Sequence, residues 1–256
     1  MENKLQGSME AGKKTVGTFL SFADADFAEC IGLAGLDYVI VDTEHGPNDV
    51  EQTVSLLRAS ESRGATALVR VKDSSRSSIL KMLDIGAMGL VIPNIRSIEE
   101  VKDIIKYGKY HPLGQRGFTT ARAAGYGFAD YSADIEEYMD LSNKKTMLIP
   151  QCETLESLAA IEEIASLAGV DGIFVGPFDL SQAMGKMGQF DSEEFQEALE
   201  RILKACHAAE IPAFIFATSP DMAKKYFQMG FDSVALSIDI WVFTNAYKDL
   251  LKKTLG

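Results

Sequence analysis

Cysteine is scarce in this 256-residue chain: Cys30, Cys152 and Cys206 stand alone, with no Cys-x-x-Cys spacing. That spacing suggests neither a structural zinc site nor a disulfide framework, and it fits a reducing cytoplasm. Long apolar runs are missing as well. No stretch approaches the roughly 20 apolar residues that span a bilayer, and the amino terminus MENKLQGSMEAGKK lacks the apolar core of a signal peptide. A protein neither secreted nor membrane-embedded is expected. Positive charge is in deficit: 25 Lys and Arg against 37 Asp and Glu leave a net charge of -12. Such a surface repels a phosphate backbone, so the expected partner is a small molecule rather than nucleic acid. Repeats, low-complexity segments and linkers are absent too. What remains, 46% hydrophobic and 24% charged, is the composition of a globular protein of enzyme size, and it excludes collagen, coiled coil and intrinsic disorder.

Eight short β-branched runs recur, each bounded by glycine, proline or polar residues: TVGTFL, DYVIVD, ATALVRV, MGLVIPN, TMLIPQC, VDGIFVG, IPAFIF and FDSVALS. Segments with apolar residues at spacings of three and four lie between them, such as DVEQTVSLLRASESRG and SEEFQEALERILKACHAAE. Strands this apolar must be covered on both faces, as in a parallel sheet wrapped by helices. The expected fold class is α/β, a (β/α)8 TIM barrel forming a single domain over residues 1–256. A doubly wound open sheet is the alternative, but no glycine fingerprint follows the first strand in TFLSFADADFAE. Two connections are long, about 94–145 and about 177–210, and long loops in a compact domain are often functional.

Catalytic groups of such a barrel project from the carboxyl ends of its strands. Strand two supplies Asp42, Glu44 and His45 there, strand three Arg70, strand five Gln151 and Glu153, strand six Asp179 and strand eight Asp239. Glu153 and Asp179, one βα unit apart, would repel each other in a shared cavity unless a cation relieved them, and oxygen donors suit Mg²⁺ or Mn²⁺. Both positions also suit capping of the helix that follows. The imidazole of His45 is the natural proton shuttle, and Arg70 has the permanent charge to hold a carboxylate or enolate oxygen; an ion pair of Arg70 with Asp42 or Glu44, and a plain loop histidine, are the competing readings. His111 and His207 read as surface or helix-end residues. Asp84 ends a helix that runs away from the active end, so a catalytic role would require it to reach a neighbouring subunit. No lysine closes strands five to eight, which disfavours Schiff-base chemistry, with Lys72 the only nearby candidate. No glycine-rich loop follows strands seven and eight, which points to an unphosphorylated acid.

At VDTEHGPND, VRVKDSSRSSILKMLDIGAMGLVIPNI, GQRGFTTARAAGYG, QCET and GVDGIFVGPFDLSQAMG the chain closely resembles the HpcH/HpaI aldolase family, the metal-dependent class II pyruvate aldolases. The resemblance covers nearly the whole chain. It implies a barrel that reversibly cleaves a 4-hydroxy-2-oxo acid to pyruvate and an aldehyde through a metal-stabilised enolate. It places the metal on Glu153 and Asp179, the base on His45, the enolate-stabilising arginine on Arg70 and a histidine-orienting aspartate on Asp84. Gln151 and Phe178 then fall at the substrate, while Asp42 and Glu44 support these groups. The divalent ion is Mg²⁺, Mn²⁺ or Co²⁺. The resemblance further implies a cytoplasmic homo-oligomer, a hexamer built as a trimer of dimers, with the carboxyl-terminal helix packing on a neighbour.

The chain departs from the family pattern at Phe178, where a small residue is usual, and at Cys152 and Val71. Phe178 is expected to narrow or reshape the pyruvate side of the pocket, and Phe118 to face the aldehyde. Two other functions compete: an oxo-acid lyase or decarboxylase of oxaloacetate on the same site, and a barrel that binds metal and oxo acid without turnover.

Overall fold

The computed structural model describes residues 1–256. Strands β1 (Thr15–Leu20), β2 (Tyr38–Asp42), β3 (Thr66–Arg70), β4 (Gly89–Ile92), β5 (Met147–Cys152), β6 (Ile173–Val175), β7 (Ala213–Ala217) and β8 (Ser233–Ile238) appear in the eight expected places. Each pairs in parallel with the next, and β8 returns to β1, closing the barrel. The helices, in chain order, are α1 (Lys4–Glu10), α2 (Ala25–Leu33), α3 (Val50–Ser62), α4 (Arg76–Asp84), α5 (Ile98–Gly108) and α6 (Ile135–Lys145). They continue with α7 (Leu155–Ala159), α8 (Ile161–Ser166), α9 (Pro177–Ala183), α10 (Glu193–Ala208), α11 (Pro220–Met229) and α12 (Asp239–Leu255). No helix is long and apolar enough to cross a membrane.

The apolar residues divide into two cores by strand periodicity. Side chains alternate between the two faces of a strand. Val39 and Val41 of β2 join the larger core between strands and helices, while Tyr38 and Ile40 join the smaller one inside the barrel, with Phe19, Leu68, Ile149, Phe174 and Phe214. The same alternation aims the polar ends. Asp42 follows Tyr38 and Ile40 inward, Arg70 follows Leu68, and Gln151 and Glu153 follow Met147 and Ile149. The polar breaks in apolar strands therefore converge on the barrel axis at one end.

The other end is closed by α1, which the polar amino terminus gave no reason to expect. Leu5 is wholly buried within the barrel-interior core, its N–H donates to Thr66 Oγ1 at 3.1 Å, and Asn3 Nδ2 donates to the carbonyls of Met88 and Lys145. Leu5, the partly buried Met9 and a few side chain–backbone hydrogen bonds dock this short helix, too little for a periodic signal.

The long connection after β4 also folds toward that floor. Arg122 donates to the Ile85 carbonyl at 3.0 Å and pairs with Glu61, and Phe118 packs against Tyr110 and Tyr138 at ring distances of 6.5 and 6.1 Å. Phe118 therefore lies outside the cavity at the active end of its own chain, contrary to expectation. The segment's aromatic residues cluster with Tyr110 and Tyr138 instead of reaching across the barrel.

Candidate active site

A cavity of about 200 Å³ opens where the inward polar residues meet, lined among others by Asp42, Arg70, Gln151, Phe178 and Asp179. Register explains its strongest contact: Asp42 and Arg70 are direct partners across β2 and β3. Arg70 Nε and Nη2 donate to the two Asp42 oxygens at 2.9 and 2.7 Å, and Nη1 lies 3.2 Å from Glu44 Oε2. The guanidinium also sits over the Phe19 ring, 4.7 Å from its centre. The ion-pair alternative for Arg70 is thus present, yet the side chain still borders the cavity. The fork holds it there.

The turn after β2 is wrapped tightly. Asp42 Oδ1 accepts the N–H groups of Glu44 and His45, and Asn48 Nδ2 donates to the Asp42 carbonyl. A Cβ on Gly46 would collide with that same carbonyl. His45 leaves this turn with its side chain 74% exposed, and its Nε2 is 3.8 Å from Glu44 Oε2. The imidazole stands at the mouth rather than in the cavity lining.

Glu153 is the buried carboxylate. Its Oε1 accepts the Asn94 N–H at 2.6 Å, and its Oε2 accepts from Gln151 Nε2 at 2.5 Å. Burial raises its pKa to about 7, the charges of Asp179 and Glu44 add to the effect, and the Asn94 N–H and Arg70 oppose it. Burial raises Glu44 above the usual carboxylate range too, against the pull of Arg70 and His45. Asp179 is exposed on the first turn of α9. The capping alternative fails for both: α7 is capped by Thr154 in a capping box with Ser157, and α9 begins at Gly176 with no side-chain cap.

Two residues that the strand-end reading passed over complete the site. Asn94, after β4, has φ 57°, a left-handed conformation that asparagine tolerates better than most residues, and this aims its N–H at Glu153. Gly176 lets the carboxylate fit: a Cβ there would stand 2.5 Å from Glu153 Oε2 and 3.3 Å from Gln151 Nε2. Strand four contributes backbone rather than a side chain, so no polar break marked it. Gly176→Ala is expected to displace the Glu153 carboxylate and weaken divalent-ion binding by about 10–100-fold, with the circular dichroism spectrum unchanged; Mn²⁺ titration followed by electron paramagnetic resonance measures it.

Asp42, Glu44, Glu153 and Asp179 bring four carboxylates to one cation, Arg70, so the site is short of positive charge. No three His, Cys, Asp or Glu side chains converge into a complete protein cage for a metal. A pair of carboxylates is nevertheless the usual share that a protein gives Mg²⁺ or a similar hard ion, with water and substrate supplying the rest. Gln151 Oε1, buried with no hydrogen-bond partner, adds a free oxygen beside Glu153. The donor set fits.

The remaining strand-end residues fall elsewhere. Asp239, buried, accepts the N–H groups of Ser21, Phe22 and Ile240 and ties β1 to α12. Asp84 lies at the opposite end of the barrel, its Oδ1 3.0 Å from Arg116 Nη2, so one chain does not bring it to His45. Lys72, His111 and His207 are exposed.

This architecture has close counterparts among known proteins. The model of the HpcH/HpaI aldolase/citrate lyase family matches residues 15–246. A hydroxypyruvate/pyruvate aldolase of Agrobacterium fabrum is 32% identical over 255 residues, covering 100% of this chain and 94% of that one. A 2-keto-3-deoxy-L-rhamnonate aldolase of Escherichia coli is 31% identical over 248 residues, covering 96% and 91%. Among solved structures, an HpcH/HpaI aldolase/citrate lyase family protein from Burkholderia cenocepacia superimposes with a TM-score of 0.91 at 27% identity over 100% of both chains. The match runs from β1 into α12 and takes in every strand end that lines the cavity, so the chain belongs to the HpcH/HpaI aldolase/citrate lyase family.

Proposed function

We propose that the protein is a metal-dependent aldolase that reversibly cleaves a 4-hydroxy-2-oxo acid to pyruvate and an aldehyde. One observation carries this reading: a buried carboxylate, Glu153, held by the Asn94 N–H and by the amide of Gln151, lies directly behind a small cavity that Gln151, Asp179 and Arg70 line, and it feels the charges of the last two. A space of about 200 Å³ suits a small acid and is below the usual range for larger ligands. The family relatives named above are aldolases, and the aldolases of this family are metal-dependent.

Glu153 and Asp179 would hold the ion, of which Mg²⁺, Mn²⁺ and Co²⁺ are the candidates, with Gln151 orienting water or substrate beside them. When bound, the ion supplies Lewis-acid polarisation of the C2 carbonyl. Arg70, fixed by Asp42 and Glu44, donates to the C2 oxygen as negative charge grows there. His45 Nε2 takes the proton of the C4 hydroxyl, directly or through water. The C3–C4 bond breaks, its electron pair moves onto the C2 oxygen as an enolate, and the aldehyde leaves. Protonation at C3 then gives pyruvate. Incubation with pyruvate in D₂O tests this without knowledge of the aldehyde. The expected result is metal-dependent deuterium incorporation at C3, seen by nuclear magnetic resonance; no incorporation with any of the three ions contradicts it.

The active unit is a cytoplasmic homo-oligomer, a hexamer built as a trimer of dimers, in which each chain acts as one catalytic domain over residues 1–256. Every residue from Ile240 to the end of α12 is exposed in the single chain, including Trp241, Val242, Leu250 and Leu251, an apolar surface of the kind that marks interfaces. Asp84, oriented by Arg116, reaches the His45 of a neighbouring copy and fixes its imidazole. Mixing His45→Ala with Asp84→Asn chains is then expected to restore activity that neither has alone, because some sites combine an intact His45 with an intact Asp84. No recovery after verified subunit exchange would place Asp84 in a structural role.

A further inference from the structure

The cavity lining is of two chemical kinds. Asp42, Arg70, Gln151 and Asp179 supply its polar groups, while Phe19, Phe174, Phe178, Phe216, Ile238 and Trp241 supply its apolar surface. A 2-oxo acid is divided in the same way, with polar oxygens on C1 and C2 and an apolar group beginning at C3. Matching the two turns C3 toward the apolar surface.

Most of that surface belongs to the packed interior. Phe19, Phe174 and Phe216 are strand residues that are 5%, 1% and 8% exposed, and the Phe19 ring meets those of Phe174 and Phe216 edge-on at 5.9 and 5.7 Å. Phe178 is different. It projects from the first turn of α9, directly before Asp179 in sequence, and is only partly buried. Its ring is pinned edge-on by Phe190 at 5.0 Å, and Phe216 lies behind it at 6.2 Å. Phe190 is itself backed by Phe195 at 5.5 Å. A ring braced on two sides cannot swing away from a larger ligand without breaking these contacts.

We infer that Phe178 is a specificity-determining residue that sets the size of the group an oxo acid can carry on C3. It admits the bare methyl of pyruvate and turns away a longer chain such as that of 2-oxobutyrate. In the cleavage direction the preferred substrates are 4-hydroxy-2-oxo acids with an unsubstituted CH₂ at C3. This rests on the aldolase reading above and narrows it.

Trp241, the only tryptophan in the chain, lines the same wall, its ring 6.4 Å from that of Phe216. Quenching of its fluorescence in Mg²⁺-loaded protein therefore reports oxo-acid binding independently of turnover. The wild-type protein is expected to bind pyruvate at least about 10-fold more tightly than 2-oxobutyrate, the discrimination that one methylene allows. Phe178→Ala is expected to erase that preference and Phe178→Leu to reduce it, with deuterium exchange at C3 following the same order. Equal binding of the two acids by the wild-type protein overturns the inference, as does an unchanged ratio in a variant that still binds pyruvate. A wild-type protein that neither binds pyruvate nor exchanges its C3 protons overturns the aldolase reading first, and the inference with it.

Discussion

Glu153→Gln is expected to lower metal-dependent pyruvate release by on the order of 10³-fold or more, the scale on which preorganised transition-state charge stabilisation is lost. The substitution keeps the shape of a side chain that sits between Asn94 and Gln151, so the barrel should remain folded while divalent-ion binding fails. Kinetics in trace-metal-free buffer, together with Mn²⁺ titration, separate these effects. Undiminished activity would remove Glu153 from the metal site.

The pKa of this carboxylate makes the same prediction in pH. Without a cation Glu153 titrates at about 7 instead of 4.5, chiefly because it is buried. Only the ionised form can bind a metal, so apparent affinity should fall about tenfold per pH unit below 7 and level off above it. The stability effect has the opposite sense. A raised folded-state pKa gives stability that is present below pH 4.5 and lost as pH rises through 7. Added Mg²⁺ should accordingly raise the melting temperature more at pH 8 than at pH 5.5, and Glu153→Gln should remove that difference.

Arg70→Lys is the second substitution with a large expected effect. Lysine keeps the charge but cannot span both oxygens of Asp42, reach Glu44 and still donate to a substrate oxygen. The expected loss in kcat/KM is about 10²–10³-fold, the scale of removing one oxyanion donor. It should fall mainly on kcat, because the contact strengthens as the enolate forms. Arg70→Ala is expected to be worse for folding as well: Asp42 is 4% exposed, and stranding one member of a buried ion pair costs about 3–5 kcal/mol. A Lys variant with wild-type kcat would make Arg70 only a structural partner of Asp42.

The barrel was legible in the sequence because its strands are short β-branched runs with glycine, proline or charge at their ends, and because nearly every strand position is buried. The polar side chains that break those runs at the carboxyl end, Asp42, Arg70, Gln151 and Glu153, were legible for the same reason: nothing apolar explains them. Asp239 broke its run in the same way but serves β1 and α12, since a buried carboxylate is equally well satisfied by backbone N–H groups. Asn94 was hidden because it acts through its main chain, and Gly176 because a glycine between strand and helix is common. Phe118 was misplaced because its segment returns to the floor of the barrel, held there by Arg122 and the Tyr110–Tyr138 cluster, and tertiary packing of that kind has no local signal. The helix α1 was missed for a related reason, as only Leu5 and the partly buried Met9 pack it on the core.

The central claim is that this barrel makes pyruvate from a hydroxy-oxo acid with a divalent ion held by Glu153 and Asp179. Pyruvate release from a panel of 4-hydroxy-2-oxo acids and from oxaloacetate, by metal-stripped protein with and without Mg²⁺, Mn²⁺ or Co²⁺, tests it most directly. Release from at least one hydroxy-oxo acid is expected only after metal is restored, and none from the Glu153→Gln protein. Release that survives chelation, or release from oxaloacetate alone, would contradict it.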